Sequence, residues 1–183
     1  KTGVGKTSPA DHFYWQDYLG KDYAVKAFQL ARKYGNAGDK LFINDYNLEY
    51  SLDKCRGLIA YVQYLESKGV KVDGIHVGQS DIPPEICRHY LGEQSIVGLS
   101  ARTDELLSYV KEADVSGVDY FGAGPLHETA TKPDCGLDRS GRVITRSLDE
   151  LKALAACSPI PVVVGGGVKL PDIPALRETG VDG

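Results

Sequence analysis

The chain has 183 residues, is 42% hydrophobic and carries a formal net charge of −4. That suffices for one core, so a single domain or part of a larger one is expected. A mildly acidic surface attracts neither nucleic acid nor an anionic membrane, no apolar run nears the roughly 20 residues that cross a bilayer, and no signal peptide is seen; a cytoplasmic chain without nucleic-acid or membrane partners is expected.

In chain order, residues 1–9 come first. Gly3-Val4-Gly5-Lys6-Thr7-Ser8 looks like the end of a phosphate loop, but that reading needs a preceding strand, so a disordered Gly/Lys/Thr-rich segment is the expectation. Short apolar runs then alternate with stretches of helical period. Strands are predicted over 41–44, 75–77, 96–99, 120–123 and 162–164, and helices over 23–34, 52–67, 83–91, 103–112, 148–157 and 171–179. Ser51, Asp81 and Ser147 stand where N-caps belong. Gly69, Gly117 and Gly180 each follow a helix and precede a Val-Asp step, as left-handed helix ends would. Alternation of this kind implies parallel strands with helices outside, because parallel neighbours need a crossover. The expected class is α/β, a (β/α)8 TIM-barrel type that is incomplete, with about five parallel strands; a doubly wound open sheet is the alternative. The chain has no methionine, even at position 1, and ends on a Gly-Val-Asp-Gly step that elsewhere leads into a strand, so a truncated barrel is expected.

The four cysteines, Cys55, Cys87, Cys135 and Cys157, lack metal-site spacing and read as reduced and structural. His76 lies in a strand and reads as a packed histidine, whereas His127, in a loop, is the fairer candidate for substrate contact.

The polar groups of the second part follow the carboxyl ends of strands, where parallel α/β folds carry their sites. Gly74-Ile75-His76-Val77-Gly78-Gln79-Ser80-Asp81 projects a carboxylate, and Ile96-Val97-Gly98-Leu99-Ser100 a hydroxyl. The run from Asp119 through Gly124-Pro125-Leu126-His127-Glu128-Thr129-Ala130-Thr131-Lys132 opens into a loop with two hydroxyls and an ammonium, and Val162-Val163-Val164-Gly165-Gly166-Gly167 ends in bare backbone. Glycines let amides approach a phosphate, and a lysine supplies charge to it.

Two resemblances divide the chain. Phe13 to Gly20, Ala24 to Arg32, Lys40-Leu41-Phe42-Ile43-Asn44-Asp45-Tyr46-Asn47-Leu48-Glu49 and Gly69 to Ile75 resemble family 10 glycoside hydrolases, the endo-xylanases, so 10–73 is expected to be a xylanase-like barrel fragment. Its position in that family leaves out both catalytic glutamates. Residues 74–183, through the GxHxGQxD and TxTK elements, resemble thiamine-phosphate synthases, which join a pyrimidine diphosphate to a thiazole phosphate and release diphosphate. The resemblance implies a transferase acting on small phosphorylated substrates with Mg2+, and weak or absent turnover is expected of a truncated chain. It makes Asp81 a metal ligand, Ser100 and Lys132 the catalytic contacts to the pyrimidine diphosphate, and Thr129 and Thr131 the holders of the thiazole phosphate, with Gly166 and Gly167 nearby. The strand that carries Asn44 and Asp45 fits both families, so Asn44 is an expected diphosphate contact and Asp45 a second metal ligand, with a strand-end cap as the equal alternative for Asp45. A glycosidase fragment and an inactive chimeric half-barrel that pairs with its own copy, a homo-oligomer, are the rival readings.

Overall fold

The computed structural model describes residues 14–45, 51–78, 82–100, 106–129, 138 and 140–183. Its elements are α1 (Tyr14–Leu19), a 3-10 turn (Gly20–Asp22), α2 (Tyr23–Tyr34), α3 (Leu52–Ser67), β1 (Gly74–Val77), α4 (Pro84–Leu91), β2 (Ile96–Ser100), α5 (Leu106–Glu112), β3 (Tyr120–Ala123), α6 (Leu148–Cys157), β4 (Val162–Val164), a second 3-10 turn (Leu170–Asp172) and α7 (Ile173–Thr179). The fold is α/β, with a sheet of four strands in sequence order and helices between them. Contacts divide the chain into two compact units, with the division between residues 96 and 97.

In the first unit, α3 begins where Ser51 accepts the Lys54 N–H at 3.2 Å, the expected cap. Its stripe of Leu58, Val62 and Leu65, spaced for one helical face, is buried. Gly69 follows in the left-handed conformation at φ 74, and Val70 and Val72 turn inward. An aromatic brace ties α3 to the preceding chain. Tyr61 stacks between Tyr23 and Tyr64, the Tyr61 hydroxyl donates to the Lys21 carbonyl at 2.8 Å, and the Tyr64 hydroxyl donates to Asp22. The carboxylate beside it, with burial second, pushes the Tyr64 phenol up to about 12.

The strand predicted over 41–44 is a correction: among the described residues four strands form, and this segment contributes one isolated parallel bridge, Phe42 to Gly74. Ile43 donates to the Gly74 carbonyl at 3.3 Å, but the next ladder donor, the His76 N–H, is taken at 3.3 Å by the Asn44 side-chain oxygen. A side chain replaces the main-chain acceptor, so the ladder stops after one bridge.

In the second unit, β2 pairs β3 and β3 pairs β4, all parallel. Leu99, Phe121 and Val162 stand level, and with Ala123 and Val164 they pack on α5, α6 and α7 through Leu106, Val110, Leu151, Leu154 and Leu176. By alternation, Ser100, Gly122 and Val163 lie on the opposite face. Ser147 caps α6 by accepting the Glu150 N–H at 3.2 Å. Gly180 ends α7 at φ 83, as expected. Gly117, by contrast, is not left-handed. The chain after α5 is turned instead by Asp114, whose carboxylate accepts the Ser116 N–H at 2.9 Å, and by a Val118-to-Val115 turn. Asp81, the third expected cap, lies outside the described residues.

The Val-Asp steps do more than end helices. Asp73, Asp119 and Asp182 each donate their N–H, at 2.8 Å, to the carbonyl of Leu41, Val97 and Val162 in turn. Their carboxylates accept the N–H of those same residues at 3.0, 2.7 and 2.9 Å. Each aspartate thus grips both main-chain groups of one residue at the start of the preceding strand position, satisfying the groups an entering strand leaves open.

Candidate active site

At the exit end of the second unit, Ser100 is the last residue of β2 and stands level with Gly122 and Val163. Two loops leave just beyond. The β3 loop passes a cis Gly124–Pro125 bond into Leu126, His127, Glu128 and Thr129, and the β4 loop runs through Gly165, Gly166 and Gly167. Leu126 and His127 both donate their N–H to the Gly166 carbonyl, at 2.9 and 3.1 Å. Gly166 and Gly167 are left-handed, at φ 83 and 73. A Cβ on Gly167 would sit 2.6 Å from the His127 carbonyl oxygen and 2.9 Å from its Cβ, so main chain lies directly on main chain there. Glycine is required both by the dihedral and by the space.

Past the glycines, His127 Nε2 lies 2.9 Å from Asp172 Oδ2. The same oxygen accepts the Lys169 N–H at 2.8 Å. That backbone donor, foremost, holds the Asp172 carboxyl below the usual carboxylate range, with burial opposing and His127 adding to the lowering. An ionised carboxylate is acceptor only, so Nε2 carries the proton and donates. Behind the β3 loop, the Arg146 N–H donates to the Pro125 carbonyl at 2.8 Å, and its buried guanidinium meets Glu150 at 2.5 Å.

The expected site residues of this unit therefore fall as follows. Ser100 is at the tip of β2, Thr129 is two residues beyond His127, and Gly166 and Gly167 are packed against the loop that carries Thr129. Thr131 and Lys132 lie outside the described residues. Asp172 and Arg146 were not expected. The sequence offered for Asp172 only an acid three residues after Lys169, and for Arg146 only an i,i+4 match to Glu150.

In the first unit, Asn44 is exposed and its side-chain oxygen bonds the His76 N–H. The Asp45 side chain is 3% exposed and meets Lys54 Nζ at 3.0 Å. Asp81 lies outside the described residues. Oxygen donors suit magnesium in kind. Asp45 is already matched by an ammonium, however, and among the described residues no group of three His, Cys, Asp or Glu could hold an ion. The described donors alone do not make a magnesium site.

A family model described as thiamine monophosphate synthase matches residues 20–183. The chain belongs to this family. The match starts well ahead of residue 74 and so takes in most of the segment that resembles xylanases. Among curated members of the thiamine monophosphate synthase family, the thiamine-phosphate synthase of Corynebacterium efficiens is 44% identical over 120 residues, 65% of this chain and 51% of that protein. That of Bacteroides fragilis is 39% identical over 121 residues, 64% of this chain and 55% of the relative. The chain thus spans about half the length of the curated relatives it matches. A solved thiamine phosphate pyrophosphorylase from Pyrococcus furiosus superposes with a TM-score of 0.59 and 24% identity, over 97% of this chain and 67% of that one. This likeness bears on the fold, the α/β arrangement of parallel strands and flanking helices. No described helix is long and apolar enough to cross a membrane.

Proposed function

We propose that the protein is a thiamine-phosphate synthase-type transferase, joining hydroxymethylpyrimidine diphosphate to thiazole phosphate. The observation that carries this is the pair of loops at the exit ends of β3 and β4, hydrogen-bonded to each other through Gly166 and stripped of side chains where a phosphate would approach. Family membership over residues 20–183 supports it.

In this reading the thiazole phosphate is held by Thr129, Thr131 and the main chain of Gly166 and Gly167, with hydroxyls and amides as neutral donors to the anion. Ser100 and Lys132 contact the pyrimidine diphosphate. The carbon–oxygen bond to the diphosphate breaks, the departing group keeps the electron pair, and the thiazole nitrogen lone pair forms the new bond to carbon. The Lys132 ammonium stabilises the charge that grows on the departing oxygen, and the loops hold nitrogen and carbon in line. Asn44 is a further diphosphate contact. Mg2+ belongs to this reading, with Asp45 and Asp81 as its carboxylates; when bound it would offset diphosphate charge, in competition with Lys54 for Asp45.

The same proposal places the chain in the cytoplasm, acting on small phosphorylated molecules, and allows a homo-oligomer, which light scattering of the purified protein reads directly. A separate origin for residues 10–73, as a xylanase-like segment ahead of a synthase segment over 74–183, is supported by the motif from Lys40 to Glu49 and is tested by sequencing the DNA on both sides of the join.

The deciding experiment is a coupled assay with both phosphorylated precursors and Mg2+. Product is expected, and Lys132→Ala is expected to reduce turnover by about 100-fold or more with little change in melting temperature. Turnover that Lys132→Ala leaves intact removes that assignment, and release of reducing sugar from xylan would favour the glycosidase reading instead.

A further inference from the structure

Resting on the substrate reading above, we propose that the His127–Asp172 pair is a brace that fixes the spacing of the two loops around the acceptor's phosphate, and so sets affinity for thiazole phosphate and not for the pyrimidine diphosphate. The Gly166 carbonyl with its two amides and the Gly167 main chain against His127 join the β3 loop only to the glycine stretch of the other loop. Glycine backbone is the most easily deformed partner available. The imidazole reaches past it to Asp172, the residue before α7, at 2.9 Å.

That end point is firm. Asp172 Oδ2 also accepts from Lys169 N–H, and α7 is anchored in the core by buried Leu176. The β3 loop is therefore tied to a packed helix, across the mouth of the bare backbone that would receive the phosphate. Thr129 is two residues from the imidazole's own main chain, so a shift at His127 moves the hydroxyl. The His127 side chain is 46% exposed, too open for its packing to be its main contribution. A charge-assisted bond between a half-exposed ring and a capping carboxylate adds little to global stability but fixes a geometry. His127 is a positioning residue here, and Asp172 positions it.

The test is calorimetric titration of the whole protein with thiazole phosphate and, separately, with pyrimidine diphosphate, melting temperature being followed throughout. His127→Ala and Asp172→Ala are each expected to weaken thiazole phosphate about tenfold, as the loss of one well-placed phosphate hydrogen bond would, while pyrimidine diphosphate stays within about twofold. The double variant is expected to be no weaker than either single one, because both remove the same link. His127→Gln, whose amide N–H can still reach the carboxylate, is expected to regain most of the loss. Asp172→Asn still accepts from Lys169 and serves if an alanine variant fails to fold; about threefold weakening is expected. Equal weakening of both ligands, or none, in variants of a protein that binds both would overturn the brace and leave the substrate reading standing. A wild-type protein that binds neither ligand would sink that reading, and the brace's role with it.

Discussion

The two ends of the strands solve different problems with different chemistry. At the entry ends, Asp73, Asp119 and Asp182 spend carboxylates on main-chain amides, closing each strand start with charge. At the exit ends of β3 and β4, side chains give way to glycine backbone, and the His127–Asp172 pair reaches between the two loops. Groups that are fully matched stabilise a fold; groups left available can bind. The difference predicts that damage at entry ends appears in melting curves, and damage at exit ends in ligand affinity.

The largest effect should be at Gly167. Alanine there meets both a left-handed dihedral and the His127 main chain, so a loss of about 3 kcal/mol is expected, together with loss of thiazole phosphate binding. This sharpens the comparison from the exit side, and an unshifted denaturant midpoint would contradict it. Asp119→Ala tests the other side: removing a charged acceptor from the Val97 amide is expected to cost about 2 kcal/mol, with ligand affinity of the folded protein unchanged. Altered affinity without lost stability would break the division of labour. Ser147→Ala, away from both ends, is expected to cost about 1 kcal/mol by chemical denaturation.

The smallest effect is in acid. Burial raises the Asp73 carboxyl, but the Leu41 N–H and Lys71 outweigh it and hold the group below the usual range. The unfolded chain then takes up the proton first as pH falls below about 4. The clamp's contribution is full above that pH and disappears as pH drops through the lowered value. Asp73→Asn should flatten the acid limb of a stability–pH curve, and an unchanged limb would show that other carboxylates govern it.

Local features were the legible ones. α2, α3 and α6 begin and end where the sequence placed them, because Ser51 and Ser147 sit one residue ahead of periodic apolar runs. α1 was missed, since Tyr14-Trp15-Gln16-Asp17 has no apolar period. The segment over 41–44 failed as a strand because pairing depends on a neighbour 32 residues away, and Asn44 intercepts the next donor. The Val-Asp steps were visible as repeated punctuation, yet their grip on Leu41, Val97 and Val162 was not, since nothing within a helix-length window names the partner. His127 was legible as an exposed loop histidine; its partner, 45 residues on, was not. The exit ends of β2, β3 and β4 were foreseen because parallel topology alone fixes where loops gather.

The aspartate grips also bear on how the chain assembles. They join residues 32, 22 and 20 apart, so each fastens a helix-containing crossover back onto its own beginning before any distant partner is needed. Closures this short carry a low contact order and modest loop entropy. Each such unit can latch as it collapses. The Val97 and Val162 amides should accordingly gain protection early in a pulsed hydrogen-exchange experiment, ahead of contacts spanning greater sequence distance.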